Sequence, residues 1–308
     1  MSTDPMAAAP PAQVQSGNGR GIVLIACSAL VWSFGGMIDR FIDTPDPWTV
    51  VFWRSLWAAM FLSGFLVLRD GQKATQAFRA MGWPGVVVAL CFMTASISFI
   101  QAIALTTVAN VILINATVPL AAALISWIFL GERITGLTWA AIAAVIGGVG
   151  LMVSDGSSGS GSMIGNLLAL LITFVFALAT VITRRHSGVR MTPAVILATS
   201  LAAALAATQA SRFAVSDRDM ALLFAFGALN LGLGMALFVT GARLVPAALA
   251  ALLGTMETVL SPVWVWLAHG ERVSLATIVG GSIVLVALIL YLIAGNRPLR
   301  PGAGPDRP

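Results

Sequence analysis

Arg54 and Glu257 are the two ionisable residues standing well inside long apolar stretches of this 308-residue chain. A charge in hydrocarbon is costly and usually faces protein or a water-filled cavity, so both are candidates for chemistry. Glu257 is the twelfth residue of the apolar stretch 246–268, near the middle of any membrane crossing. There it either meets a substrate amine or exchanges a proton; the structural alternative is a carboxyl that caps backbone groups beside a distortion at Pro262. Arg54 is the seventh residue of the stretch 48–68, roughly 9 Å from its start at about 1.5 Å per residue. It can pair with a substrate carboxylate, snorkel outward, or tie helices together through carbonyls. An Arg54–Glu257 ion pair is also open to these two residues.

Aromatic and amide side chains surround both positions. Trp53 and Trp57 stand about one turn apart, and Arg54 shares the Trp57 face at i, i+3. Trp32, Trp57 and Trp264 lie deep enough to line a cavity for apolar or aromatic groups, with helix packing as the other account. Trp48, Trp83, Trp127 and Trp139 fall near stretch ends, where interfacial anchoring explains them. Asn115 and Asn230 either bind the ends of a zwitterion or hydrogen-bond between helices. Gly35, Gly36, Pro119, Gly232, Gly234 and Pro262 are candidate hinges, although close packing also accounts for the glycines.

Catalysis finds no constellation here. The chain holds no His-Glu-x-x-His, no paired membrane Asp and no Gly-x-Ser-x-Gly. His186 and His269 fall at stretch ends, and Cys27 and Cys91 lie singly inside apolar runs. The expectation is a protein that is not an enzyme, with no cofactor and no metal. A channel would show a filter loop or a ring of like charges, and one chain shows neither.

The elements that position these residues follow from composition. Hydrophobic residues make up 58% of the chain and charged residues 9%, against about 25% charged in a soluble domain. So few charges cannot cover a soluble surface, so a lipid bilayer is the expected surrounding. Net charge is +5, but the basic residues sit singly or in pairs in short loops, which excludes a nucleic-acid partner. About twenty apolar residues cross a bilayer as a helix. Ten stretches qualify: 21–38, 48–68, 83–105, 108–130, 135–153, 163–184, 192–210, 220–242, 246–268 and 274–294. Residues 1–20 and 295–308 read as cytoplasmic tails, the first disordered, and the Gly/Ser-rich stretch 154–162 as a join between halves 21–153 and 163–294. With both termini cytoplasmic, that side holds twelve Arg and Lys residues and the other holds four, as the positive-inside rule requires.

The halves repeat. Residues 131–133 and 270–272 both read Gly-Glu-Arg, an offset of 139, and the apolar run 136–153 falls on 275–292. Five crossings per half is an odd number, so the second copy enters from the opposite face. The expected fold class is an all-α membrane protein of ten transmembrane helices, two inverted five-helix repeats around a central cavity. Spans five and ten are expected at its periphery. Inverted repeats suit alternating access in secondary transporters. The Gly-Glu-Arg loops are expected to cap helix ends and fix the four–five and nine–ten hairpins.

The stretch Ala104 to Arg133, with Asn115-Ala-Thr-Val-Pro119 and Leu130-Gly-Glu-Arg133, resembles the EamA-type repeat of the drug/metabolite transporter superfamily. Gly241 to Arg272 matches it through Ala242-Arg-Leu244, Glu257 and Gly270-Glu-Arg272. This second copy departs from the family's Glu-Pro pair, since Thr258 follows Glu257 and the proline comes at Pro262. The run Met256 to Trp266 is most similar to the aromatic amino-acid exporter (YddG-like) branch. The resemblance implies a bacterial inner-membrane exporter of aromatic and other apolar amino acids or related small metabolites. Export of lipophilic cationic drugs or other metabolites, proton-coupled through Glu257, is the alternative. A monomer is the expected state.

Overall fold

The computed structural model describes residues 18–71, 74–130, 136–155, 162–186, 188–241, 244, 247–271 and 273–295. Residues 1–17, the Gly131–Arg133 triplet, the join at 156–161, Arg272 and the tail from 296 on lie outside the described residues. Every element among the described residues is helical. In the first half these are α1 (Asn18–Ser33), α2 (Gly35–Arg40), α3 (Pro47–Asp70), α4 (Ala74–Ala80), α5 (Gly82–Leu105), α6 (Val108–Asn115), α7 (Val118–Leu130) and α8 (Gly136–Asp155). The second half holds α9 (Met163–Arg185), α10 (Thr192–Gln209), α11 (Asp217–Phe224), a π-helical segment Ala225–Leu233, α12 (Gly234–Gly241), α13 (Ala247–His269) and α14 (Leu275–Gly295). Helix α1 therefore begins inside the expected tail.

Among the described residues, seven helical stretches are long and apolar enough to cross a membrane: Gly19–Arg40, Pro47–Asp70, Gly82–Leu105, Val108–Phe129, Met163–Thr183, Thr192–Gln209 and Asp217–Phe238. Large apolar side chains also point outward, among them Leu68 (90% exposed), Trp83 (73%) and Phe129 (72%). A water-facing surface would not tolerate that many, whereas acyl chains do.

Helix ends follow local chemistry. Asp46 caps α3 by accepting from the Trp48 amide at 3.0 Å, with Pro47 at the first helical position. Thr107 caps α6 through the Asn110 amide. Gly270 takes φ +64° just past α13, a left-handed turn that ends the helix and swings Glu271 back across the bundle.

The most extensive helix contacts join one half to the other. Matching α9 to α1–α2, α10 to α3, α11–α12 to α5, α13 to α6–α7 and α14 to α8 exposes a regularity. The pairs α3–α10, α6–α13 and α8–α14 map onto themselves. The pair α5–α9 maps onto α12–α1, α7–α9 onto α13–α1, and α5–α10 onto α3 with the π segment. Exchanging the halves thus preserves the packing, as a two-fold related repeat demands. The α8–α14 contact is tight, since a Cβ on Gly148 would stand 2.7 Å from the Gly280 carbonyl oxygen.

Polar links between the halves gather at the end carrying Asp43. There Arg218 donates to the Asp43 carboxylate at 2.6 Å, and Asp219 accepts from the Asp43 amide and the Thr44 hydroxyl. At the opposite end the described residues form one ion pair between halves, Arg190 with Asp70 at 3.0 Å.

Asp46 makes the Asp43 end sensitive to acid. Burial works upward on its carboxyl, but hydrogen bonds from the Ser211 amide and hydroxyl, then Trp48 and Thr49, outweigh it and hold it below its ordinary 3.8. A lowered value contributes stability above the ordinary carboxylate range and loses it as pH falls through the lowered value. Below about pH 4 the wild-type melting temperature should fall more steeply than that of Asp46→Asn. Parallel slopes in a thermal melt series from pH 6 to 3 would refute this account of Asp46.

Candidate substrate site

Arg54 projects from α3 toward α5 and the π segment and is only 6% exposed. Its Nη1 donates to the Ser96 hydroxyl at 3.0 Å. The guanidinium carbon sits 4.5 Å from the Phe226 ring centroid and 5.6 Å from that of Phe99. Ring faces stabilise a desolvated cation without consuming its donors. The Nε donor of Arg54 is buried and has no hydrogen-bond partner among the described residues.

Trp57 lies one turn along α3 and stacks on Trp53 at 6.5 Å. Its ring meets Phe224 edge-on at 5.1 Å, and its indole nitrogen is also buried and unpartnered. Trp32 on α1 tilts against Phe238 at 5.4 Å and shares that condition at its own indole nitrogen. An unmet buried donor costs about 1–3 kcal/mol. Each of the three lies beside an aromatic ring, and the charged one, Arg54 Nε, is the donor best suited to a substrate acceptor.

The remaining candidates are tied into the scaffold. Asn230, in the π segment, donates to the carbonyls of Val31 and Trp32, where α1 gives way to α2. Trp264 donates to Ser33 Oγ at 3.0 Å and stacks on Phe34 at 5.1 Å. Asn115 accepts from the Thr173 hydroxyl at 3.3 Å, where α6 ends. Each of these tethers secures a helix break with a residue from the opposite half.

The structure places Glu257 apart from Arg54. Helices α1 and α13 run in register, because Trp264 meets Ser33 and Glu271 meets Arg40 at the same sequence offset of 231. Glu257 is therefore level with Ala26. Arg54 is level with Gly35, since Phe226 touches both positions. Nine residues of helix separate those levels, about 14 Å along the axis. No ion pair joins Arg54 to Glu257, and no hydrogen bond or ion pair joins Glu257 to any described residue.

Among the candidate hinges, Gly35 and Gly36 lie at the α1–α2 break, and Gly36 presses on Val108. Pro119 falls in the first turn of α7, after the interruption at Ala116–Thr117. Gly232 abuts Phe61 and Gly234 abuts Trp32, at the junction of the π segment with α12. Helix α13 runs unbroken through Pro262.

Three features escape the sequence reading. The first is the π segment, which carries Phe226 and Asn230. The second is Asp39, which lies on α2, inside the apolar stretch Gly19–Arg40. The third is the target of Glu271: its Oε2 accepts from Arg40 Nε at 3.0 Å and its Oε1 from the Val108 amide at 3.0 Å. It caps a helix end as the motif suggests, but that end belongs to α6 of the opposite half. Glu132, its counterpart, lies outside the described residues.

No curated protein matches this chain. A solved crystal structure, described only as that of a protein, is 18% identical with a TM-score of 0.63, over 90% of this chain and 98% of its own. That likeness concerns the fold alone. The model of the EamA-like transporter family matches twice, over residues 19–154 and 163–293. Two copies of the family unit and apolar helices exposing large hydrophobic residues agree with one another. This chain belongs to the EamA-like transporter family, multi-pass membrane transporters of small substrates.

Proposed function

We propose that the protein exports aromatic and other apolar amino acids, or closely related small metabolites, across a bacterial inner membrane by alternating access. In this reading ten transmembrane helices form two inverted five-helix repeats, with both termini cytoplasmic and the Asp43 end outside. Twelve basic residues against four support that orientation. The observation that carries the substrate class is the buried Arg54 Nε, without a partner among the described residues, beside the rings of Phe226 and Phe99. A carboxylate satisfies such donors, and an apolar or aromatic side chain fills the space beside them. Asn115, Asn230 and Trp264 hold the surrounding helices, and Gly35, Gly36, Pro119, Gly232, Gly234 and Pro262 let them bend.

Reconstituted into liposomes, the protein should show saturable, counterflow-stimulated movement of apolar zwitterions. Arg54→Ala removes a charge-assisted contact and should weaken apparent affinity by about 10- to 100-fold. Trp57→Ala should act in the same direction. A panel of amino acids that gives neither thermal shift nor counterflow sinks the reading.

The unpartnered carboxyl of Glu257 favours a second reading, in which it couples export to protons or receives a lipophilic cation. Transport insensitive to a pH gradient, and unchanged in Glu257→Gln, removes that alternative.

A further inference from the structure

At the Asp43 end a cleft of about 280 Å³ opens between α2, α3 and α5, lined among others by Asp39, Pro47, Val50 and Ile100. Arg54 lies one turn below Val50 on α3, and Ser96 one turn below Ile100 on α5, so the guanidinium forms the next layer beneath the cleft. Asp39 stands one turn beyond Gly35 on α2, and Gly35 lies against the Phe226 ring that carries the Arg54 guanidinium, so the two charges occupy adjacent layers. They are not, however, in contact: no ion pair joins them, and no hydrogen bond reaches the Asp39 carboxylate from a described residue.

Opposite charges in a low-dielectric surrounding attract strongly and ordinarily close into a pair. Here each is held back. Ser96 and the rings of Phe226 and Phe99 fix Arg54. The neighbouring cation, Arg40, has its guanidinium occupied by Glu271 and by the carbonyls of Ile103 and Thr106 at 2.9 and 3.1 Å. What remains is one carboxylate on the cleft lining and one buried guanidinium Nε–H in the layer beneath it, both without hydrogen-bond partners among the described residues.

We propose that Asp39 is a specificity residue: it receives the ammonium group of a zwitterionic substrate whose carboxylate lies on Arg54. The inference rests on the amino-acid reading above and adds the group that recognises the amine. An α-amino acid carries both charges on neighbouring atoms and satisfies both side chains at once. Its deaminated analogue leaves Asp39 without a partner, and its decarboxylated analogue leaves Arg54 so. Sites built around a substrate's polar group discriminate strongly against the analogue lacking it.

The test uses the full chain, purified and reconstituted. L-Phenylalanine and L-leucine compete in counterflow and thermal-shift assays with 3-phenylpropanoate, 4-methylpentanoate and phenethylamine. Wild type should prefer each amino acid over its deaminated analogue by roughly tenfold or more. Asp39→Asn should shrink that preference to about threefold or less, and Asp39→Glu should keep most of it. Equal binding of an amino acid and its deaminated analogue by wild type overturns the role of Asp39, needs no variant, and leaves the carboxylate site at Arg54 standing. Full preference retained by folded, monodisperse Asp39→Asn overturns that role equally. Binding of none of these compounds by wild type instead defeats the amino-acid reading itself, and the role of Asp39 with it.

Discussion

Gly227→Val should fail to accumulate as folded protein, and Gly227→Ala should fold with reduced stability and weakened substrate binding. A Cβ at this position meets the Arg54 carbonyl oxygen, and it would stand 2.7 Å from the Trp57 Cβ and 3.1 Å from the Arg54 carbonyl carbon. These are backbone and first side-chain atoms, which cannot rotate away, so the π segment and α3 must separate. Overpacking of this kind costs about 1–3 kcal/mol for one added methyl and more for valine. The separation occurs at the residues carrying Arg54 and Trp57, so affinity should fall together with stability. Gly64 and Gly147 supply the controls, because a Cβ at either has no neighbour within 4 Å. Alanine there should be neutral or stabilise the helix by about 0.5–1 kcal/mol. Melting temperatures in detergent decide the matter, and Gly227→Ala as stable as wild type would show that α3 and the π segment are not packed this closely.

The helical class and the doubling of the chain are legible in its letters because both rest on local features: run length, polarity and a recurring triplet. The site is less legible, for reasons that differ by residue. Arg54 stands out as a charge in an apolar run, yet Ser96 and Phe226 lie 42 and 172 positions away, and nothing in sequence pairs them. The π segment leaves no mark because AFGALNLGL is apolar on nearly every face, so an added residue per turn shifts no visible stripe. Asp39 is overlooked for the opposite reason. Two adjacent charges, Asp39 and Arg40, look like the end of a crossing, and α2 does end at Arg40, but Arg40 satisfies carbonyls at the end of α5 and leaves the Asp39 carboxylate on the cleft lining. Glu257 is conspicuous in sequence, but its separation from Arg54 depends on the register between α1 and α13, which only packing sets.

That register also governs the Asp43 end. Arg40 lies where α5 terminates and donates to the carbonyls of Ile103 and Thr106, while Glu271 accepts from the first amide of α6. A cation at a helix C-terminus and an anion at a helix N-terminus both match the helix dipoles. The 3.0 Å bond between them ties α2, the α5–α6 turn and the α13–α14 turn together. The two side chains are 27% and 20% exposed, so water competes for part of this interaction. Losing Glu271 should favour opening of this end by about 2 kcal/mol, roughly 30-fold. Ser33, fully buried and about 10 Å below the pair, reports on opening. In a Ser33→Cys background lacking Cys27 and Cys91, labelling by an impermeant maleimide should accelerate on Glu271→Ala and on Arg40→Ala. The charge-swapped protein, Arg40→Glu with Glu271→Arg, makes the sharper test. A simple ion pair survives such a swap, but this one should not, because the swap aims a carboxylate at the Ile103 and Thr106 carbonyls and a guanidinium at the Val108 amide. Labelling of the swap at the wild-type rate would mean that charge attraction alone holds the end shut and that the two helix termini contribute nothing to it.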